Sequence, residues 1–238
     1  MALIVFVLFS ISPGICFASG EQPGDTVVLV HGLGRTSRSF QKMENYLRQH
    51  GYNVLNIDYP SRKYDIRTLA TRFIRPAIRN HATDKTKKIH FVTHSMGGII
   101  IRYYLKTYPM ANIGRVVMLS PPNQGSEVVD FLKDRIIVED IMGPAFDELS
   151  TDPAGFVNTL GDIDTEVGII AGNRSINWIN SILIPGPDDG KVSVARARLD
   201  HMTDFMVVKR THSFIMNADE VLEAVVHFIE KGRFRESD

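Results

Sequence analysis

Thr93-His94-Ser95-Met96-Gly97-Gly98 is where a strand pattern, Lys88 to Thr93, passes without a spacer into a helical pattern, Met96 to Tyr108, that Pro109 stops. The continuous apolar run Thr26–Val30 marks a parallel sheet buried on both faces, and Lys88 to Thr93 reads as another of its strands. The residues after it must form a sharp strand-to-helix turn, with Ser95 at its tip and at a helix N-terminus. Free N–H groups and the helix dipole favour negative charge at that point. Small residues are needed on both sides of such a turn, because strand and helix nearly touch. Gly97 fills the second small position. Thr93 fills the first, where glycine is the common choice, and its branched side chain must find room. A serine N-cap followed by a Gly-Gly helix contact would use the same residues, so the turn alone assigns no chemistry.

The same alternation extends in both directions. Upstream, Thr26–Val30 and Tyr52–Ile57 read as strands, each followed by a helical pattern, 37–50 and 66–80, with Pro76 set to kink or shorten the second. Downstream, 115–119, 166–171 and 205–209 read as strands and 218–230 as a closing helix. Strands alternating with helices predict an α/β fold: a central, mostly parallel sheet of about six strands with helices on both faces. Residues 121–164 are richer in Pro, Gly and Asp and weaker in periodicity, and read as a small cap or lid insertion. No repeat or linker divides residues 21–238, which read as one domain.

Residues 1–20 differ from the rest. Ala2 to Ile11 is almost wholly apolar, Pro13 and Gly14 break it, Ala18-Ser19-Gly20 supplies small residues, and no charged side chain precedes Glu21. This is the pattern of a secretory signal, too short to span a bilayer comfortably. It places the protein outside the cytoplasm, periplasmic or secreted; if retained, the segment is a membrane anchor. The lone cysteine, Cys16, lies inside it. With the segment removed no thiol remains, which excludes disulfides, thiolate metal sites and cysteine catalysis. The 27 basic residues are balanced by 27 acidic ones, so no cation excess is available for phosphate backbones and nucleic acid is not an expected partner.

Of the eight histidines, His212 alone directly follows the last strand and precedes the final helix. The C-terminal strand ends of such a sheet gather on one edge, where Ser95 also lies, so His212 is the candidate base. His50, His81 and His227 close, follow or lie within helices; His94 packs, and His201 has no partner signal. His90 and His94 lie along one strand, about 13 Å apart, too far to share an ion. Asp188 and Asp189 both stand in Pro187-Asp188-Asp189-Gly190, between the last two strands; either could be the acid and the other a turn residue. A rival reading starts at Gly32-Leu33-Gly34-Arg35-Thr36-Ser37, which with Asp58 approaches a dinucleotide-binding fingerprint. Its third small position is Ser37, and it leaves Ser95 and His212 without a role.

Taken together, Val30-His31-Gly32-Leu33-Gly34, Thr93 to Gly98, Ser120-Pro121-Pro122-Asn123-Gln124-Gly125-Ser126, Asp189-Gly190-Lys191-Val192-Ser193 and Thr211-His212 resemble the bacterial lipase and esterase branch of the α/β-hydrolase superfamily, the triacylglycerol lipase-like and GPI inositol-deacylase-like serine hydrolases. The resemblance runs in order from Val30 to His212. It implies the α/β-hydrolase fold and a triad in the order Ser95, Asp189, His212, with Asp189 preferred because it directly precedes Gly190. It also implies an oxyanion hole from the backbone N–H groups of Leu33 and Met96, with His31, Gly32 and Gly97 in support. The Ser120–Ser126 stretch looks like the start of the insertion that covers the substrate. Val128, Val129, Phe131, Leu132, Ile136 and Ile137 beyond it serve either as acyl-pocket lining or as helix core. Some relatives hold calcium through an acidic residue soon after the histidine; Ser213-Phe214-Ile215 stand there, so no metal is expected, and the chemistry requires no cofactor.

The resulting expectation is a serine carboxylic-ester hydrolase, an esterase or lipase, acting on a small-molecule or lipid ester, with transient contact at a membrane or lipid surface where the substrate is a lipid. The same triad would equally serve a thioesterase, amidase, acyltransferase or phospholipid deacylase. A non-catalytic binding protein on the same fold is the alternative of a different class.

Overall fold

The computed structural model describes residues 24–81, 83–133, 141–176 and 178–235. The secretory-signal reading of residues 1–20, Cys16, and the two pocket candidates Ile136 and Ile137 lie outside the described residues.

Six strands, β1 (Thr26–Val30), β2 (Asn53–Ile57), β3 (Ile89–His94), β4 (Ile113–Leu119), β5 (Val167–Gly172) and β6 (Asp204–Val208), form one sheet in the order β2-β1-β3-β4-β5-β6. Every pairing is parallel. β1, β3 and β5 are buried along their whole length and β4 in its second half, whereas the edge strands β2 and β6 are only partly buried. Val28 and Val30 of β1 enter one core with Phe91 and Met118, while Val27 and Leu29 enter the other with Val92 and Val117. Two-sided burial is why β1 reads as a continuous apolar run.

Helices close both faces, as expected. Phe40, Met43 and Leu47, from a 3₁₀ turn and α1 (Gln41–Gln49), pack one core with the closing helix α8 (Asp219–Lys231). Gly232, at φ +75°, ends α8 in the left-handed conformation and donates its N–H to the Phe228 carbonyl at 2.8 Å. The other face carries α2 (Ile66–Leu69), α3 (Arg75–His81) and α4 (Met96–Thr107). Between α2 and α3 the chain makes a π-turn, Ala70–Ile74, in which the Arg75 N–H reaches back to the Ala70 carbonyl. The widened turn relieves the clash of the Pro76 ring with the carbonyl four residues earlier, so the helix continues where a stop was also open.

Residues 121–164 contain α5 (Glu127–Leu132), a 3₁₀ turn at Asp147–Leu149 and α6 (Phe156–Thr159). Their anchor is Arg102 of α4, to which the sequence reading gave no role. Its guanidinium, 2% exposed, donates to the carbonyls of Asn123 (3.0 Å), Gly161 (2.8 Å) and Val157 (3.3 Å). Burial lowers its pKa to about 10, so it remains charged at neutral pH. One further helix, α7 (Trp178–Leu183), lies between β5 and β6. It buries no side chain, so it has no apolar stripe for periodicity to detect. No helix among the described residues is long and apolar enough to cross a membrane.

The strand order reverses direction between β1 and β3. Ligands in open parallel sheets bind outside the C-terminal strand ends at such a point. The loops leaving β1 and β3 there are Gly32–Ser37 and Ser95.

Candidate active site

Ser95 sits between β3 and α4 at φ 52°, ψ −126°, a conformation that non-glycine residues rarely adopt. Its N–H is held by the Leu119 carbonyl at 2.9 Å, and its own carbonyl accepts the Gly98 N–H at 2.9 Å. The helix starts so close to β1 that a Cβ on Gly97 would lie 2.2 Å from the Val30 carbonyl oxygen. Only glycine fits there. Thr93, the departure from the usual small residue, is fully buried and its Oγ1 lies 3.3 Å from where a Gly98 Cβ would stand. The second glycine of the pair supplies the room that the branched side chain takes.

Three side chains from three loops meet at this edge. Ser95 Oγ is 3.0 Å from His212 Nε2, and His212 Nδ1 is 2.8 Å from Asp189 Oδ2. The carboxylate accepts at Nδ1, so that nitrogen carries the proton and Nε2 is free to accept from the serine hydroxyl. The other oxygen of Asp189 accepts the N–H groups of Lys191 (3.0 Å) and Val192 (2.9 Å). Burial pushes the Asp189 carboxyl up, but His212 and the hydrogen bonds from His212, Ser120 and Val192 outweigh it and hold the group below the ordinary carboxylate range. Asp188, the neighbouring candidate, shapes the turn instead: its Oδ1 accepts from Ser181 Oγ at 2.9 Å and from the Gly190 N–H at 2.7 Å.

Ser120 is a site residue that the sequence reading quoted without a role. It leaves β4 at φ 47°, the second non-glycine residue with positive φ. Its hydroxyl accepts the Gly172 N–H at 3.3 Å and donates to Asp189. The signal available in sequence was its place, directly after a buried strand and before Pro121-Pro122.

The supporting histidines are neutral and fixed. His94 donates from Nε2 to the His212 carbonyl at 2.9 Å, which holds the His212 backbone; among the described residues its Nδ1 is buried without a partner. His31 stacks on Tyr59 with ring centroids 4.0 Å apart and donates from Nδ1 to the Gly32 carbonyl at 2.9 Å. His90 accepts the Arg115 N–H at 2.9 Å and faces Asp25 at 3.5 Å, so it makes no pair with His94. Burial lowers the pKa of all three, that of His94 furthest. The unfolded chain therefore takes up protons below about 6.5 that the folded chain refuses. Stability is expected to be full above that pH and to fall with acidification below it, by up to about 1.4 kcal/mol per pH unit for each histidine. Urea midpoints measured from pH 8 to 5.5 check this; a flat profile contradicts it.

The β1 loop is not arranged for a dinucleotide. Gly32–Ser37 leads into a 3₁₀ turn, with α1 beginning only at Gln41, so no α-helix N-terminus opens on the glycines. Asp58, the acid of that rival reading, accepts the Ser37 N–H at 2.8 Å. The loop instead approaches the Ser95 turn: a Cβ on Gly32 would stand 3.0 Å from Ser95 Cβ. Leu33 follows on the rim of a cavity of ≈ 190 Å³ that also contains Ser95 and His212. Met96 is the first residue of α4, and its N–H is among those a helix leaves without an internal partner. The far wall is apolar, made by Val128, Val129, Leu132, Met142, Phe146 and Leu149. Both uses open for the α5 residues occur: Val128, Val129 and Leu132 line the cavity, and Val129 and Leu132 also pack in the core, whereas Phe131 is 48% exposed.

Comparison with known proteins agrees with this architecture. A family model described as the alpha/beta hydrolase family matches residues 27–223. The chain is 30% identical over 123 residues to lysosomal thioesterase PPT2-B of Xenopus laevis, a match covering 47% of this chain and 40% of that relative's length. Among solved structures, the mature form of Bacillus licheniformis lipase BlEst2 superposes with a TM-score of 0.71 at 21% identity, over 91% of this chain and 95% of that one. Phospholipase PlaB from Legionella pneumophila superposes at 0.68 and 20% identity, over 86% of this chain and 57% of that one.

Proposed function

The chain belongs to the alpha/beta hydrolase family, and on that premise we propose that it is a serine carboxylic-ester hydrolase with Ser95 as nucleophile, His212 as base and Asp189 as the orienting acid. The observation that carries this reading is the unbroken hydrogen-bonded chain Ser95–His212–Asp189 beside an apolar cavity. His212 Nε2 takes the hydroxyl proton as Ser95 Oγ attacks the ester carbonyl. The N–H groups of Leu33 and Met96 receive the oxyanion, helped by the N-terminal end of α4. His212 returns the proton to the departing alcohol, water repeats the sequence on the acyl-enzyme, and the carboxylic acid leaves. Asp189 stays ionised and stabilises the imidazolium throughout.

Residues 121–164 act as a cap whose apolar side chains hold the acyl chain. A cavity of this size supports short acyl groups over long ones. With nitrophenyl esters, kcat/KM is expected to be at least about tenfold higher for butyrate or octanoate than for palmitate, because among the described residues added methylenes find little further apolar surface to bury against. A profile rising steadily to palmitate would contradict the cap assignment, and no turnover of any ester would overturn the proposed activity. Ile176, Trp178, Ile182 and Phe214, all largely exposed, support transient contact with a lipid surface. The apolar segment at residues 1–20 supports export as the setting.

A second reading, thioester hydrolysis by the same triad, is favoured by the similarity to a thioesterase. Octanoyl thioesters of N-acetylcysteamine, assayed beside octanoyl nitrophenol, separate the two.

A further inference from the structure

The chain is electrically neutral as a whole, but the mouth of the site is not. Arg35 lines the acyl cavity, a neighbouring cavity of ≈ 300 Å³ and an outer groove of ≈ 490 Å³, and so stands where the three meet. Lys191 lines the first two with it, and Arg62 lies in the groove, seated over Gly34. Among the described residues none of these three cations forms an ion pair. The nearby carboxylates are already engaged: Asp189 by His212 and two N–H groups, Asp58 by the Ser37 N–H. Withdrawal from water and the repulsion of Arg35 and Arg62 lower the Lys191 ammonium against the pull of Asp189, so Lys191 lies within reach of both other charges. Unpaired like charges gathered at one mouth leave an anion as their complement.

The second cavity also fixes which part of a substrate the cations would meet. It contains His212, Thr211 and Phe214 but none of the apolar cap residues. His212 lines both cavities, but the apolar cap residues line only the first, so the acyl chain is assigned to the first and the departing group, which His212 protonates, to the second. We propose that Arg35 and Lys191 form an anion subsite on the leaving-group side of Ser95, and that the substrate is an acyl ester or thioester whose leaving alcohol or thiol carries a phosphate. The proposal rests on the hydrolase reading above. Only the acyl C–O or C–S bond breaks; the proton from His212 goes to the leaving oxygen or sulfur, water supplies the hydroxyl of the acid, and the phosphate leaves unchanged.

Two sources share this chemistry, a glycerophosphate lipid and a coenzyme A thioester, and matched soluble pairs separate them. The first pair is hexanoylglycerol phosphate against hexanoylglycerol; the second is hexanoyl-coenzyme A against the hexanoyl thioester of N-acetylcysteamine. The full chain is expected to prefer the phosphorylated member of one pair by about tenfold or more in kcat/KM, the scale of a charge-assisted contact. The pair that shows the preference identifies the source. Arg35→Gln and Lys191→Gln are each expected to remove most of that preference, read as the ratio of kcat/KM within a pair so that a change common to both members cancels, and Arg35→Lys to restore much of it. Added salt should erode the preference in the native protein only. Equal rates within both pairs, or variants that slow neutral and phosphorylated members alike, overturn the subsite and leave the hydrolase reading standing. Turnover of no member of either pair overturns both.

Discussion

Ser95→Ala is expected to lower kcat for ester hydrolysis by about 10⁶, and His212→Ala by a similar factor, because nucleophile and base act as one unit. The double variant should be no slower than either single one. This follows from the geometry at the serine: with Oγ 3.0 Å from Nε2, the proton has one acceptor, and without either partner no activated oxygen remains. The residual rate should still exceed that in water, since the N–H groups of Leu33 and Met96 and the apolar wall of the cavity remain. Single-turnover kinetics with a nitrophenyl ester measure the effect. Multiplying losses in the double variant, or a Ser95→Ala enzyme within tenfold of the native rate, would place the chemistry elsewhere. Neither substitution should unfold the protein: alanine removes only the hydroxyl at position 95, and the His212 backbone is independently held by the Asp189 carbonyl and by His94.

Asp189→Asn is expected to cost about 10⁴ in kcat with little change in KM, through the tautomer of His212. The carboxylate fixes the proton on Nδ1; an amide in the same place can present an N–H there and push the proton to Nε2, where it blocks acceptance from Ser95. Asp188→Asn is the control. Its Oδ1 accepts from Ser181 and Gly190, which an amide oxygen also does, so the rate should stay within about threefold. The reverse ranking of the two variants, measured as kcat at neutral pH, would exchange their roles.

How far the sequence carried depended on whether the signal was local. β1 was legible because burial on both faces leaves an unbroken apolar run, the other strands because short β-branched runs alternate with helical patterns, and Ser95 because a strand, a hydroxyl and two glycines stand consecutively. His212 was legible by place, at the end of the last strand. Asp189 was not separable from Asp188 on residue grounds, since two adjacent carboxylates on a turn differ only in where their Cα–Cβ bonds point; the family resemblance made the choice that the geometry supports. The role of Ser120 was hidden because its contact with Asp189 spans sixty-nine positions of sequence and a backbone conformation that no propensity favours for serine. Arg102 did leave a trace, as a cation in the apolar stretch Ile99-Ile100-Ile101-Arg102-Tyr103-Tyr104-Leu105, where a buried charge needs carbonyls to receive it. The π-turn before Pro76 left none, because one extra residue in a turn barely shifts a helical period.

Arg35 and Lys191 are each an unremarkable loop cation in the sequence, separated by most of the chain. Only the fold places them at one mouth, so the substrate's leaving group is the part of the account that depends most on three dimensions. The chemistry at Ser95 does not depend on them, and a reagent without a phosphate-bearing leaving group tests it separately.

The most direct test of the central claim is to treat the folded protein with a fluorophosphonate, which phosphonylates an activated serine hydroxyl, and to locate the adduct by peptide mass spectrometry. One adduct, on Ser95, absent from Ser95→Ala and strongly slowed in His212→Ala, is the predicted result. A correctly folded protein that stays unlabelled, or one labelled at another residue, would contradict the assignment of Ser95 as the nucleophile.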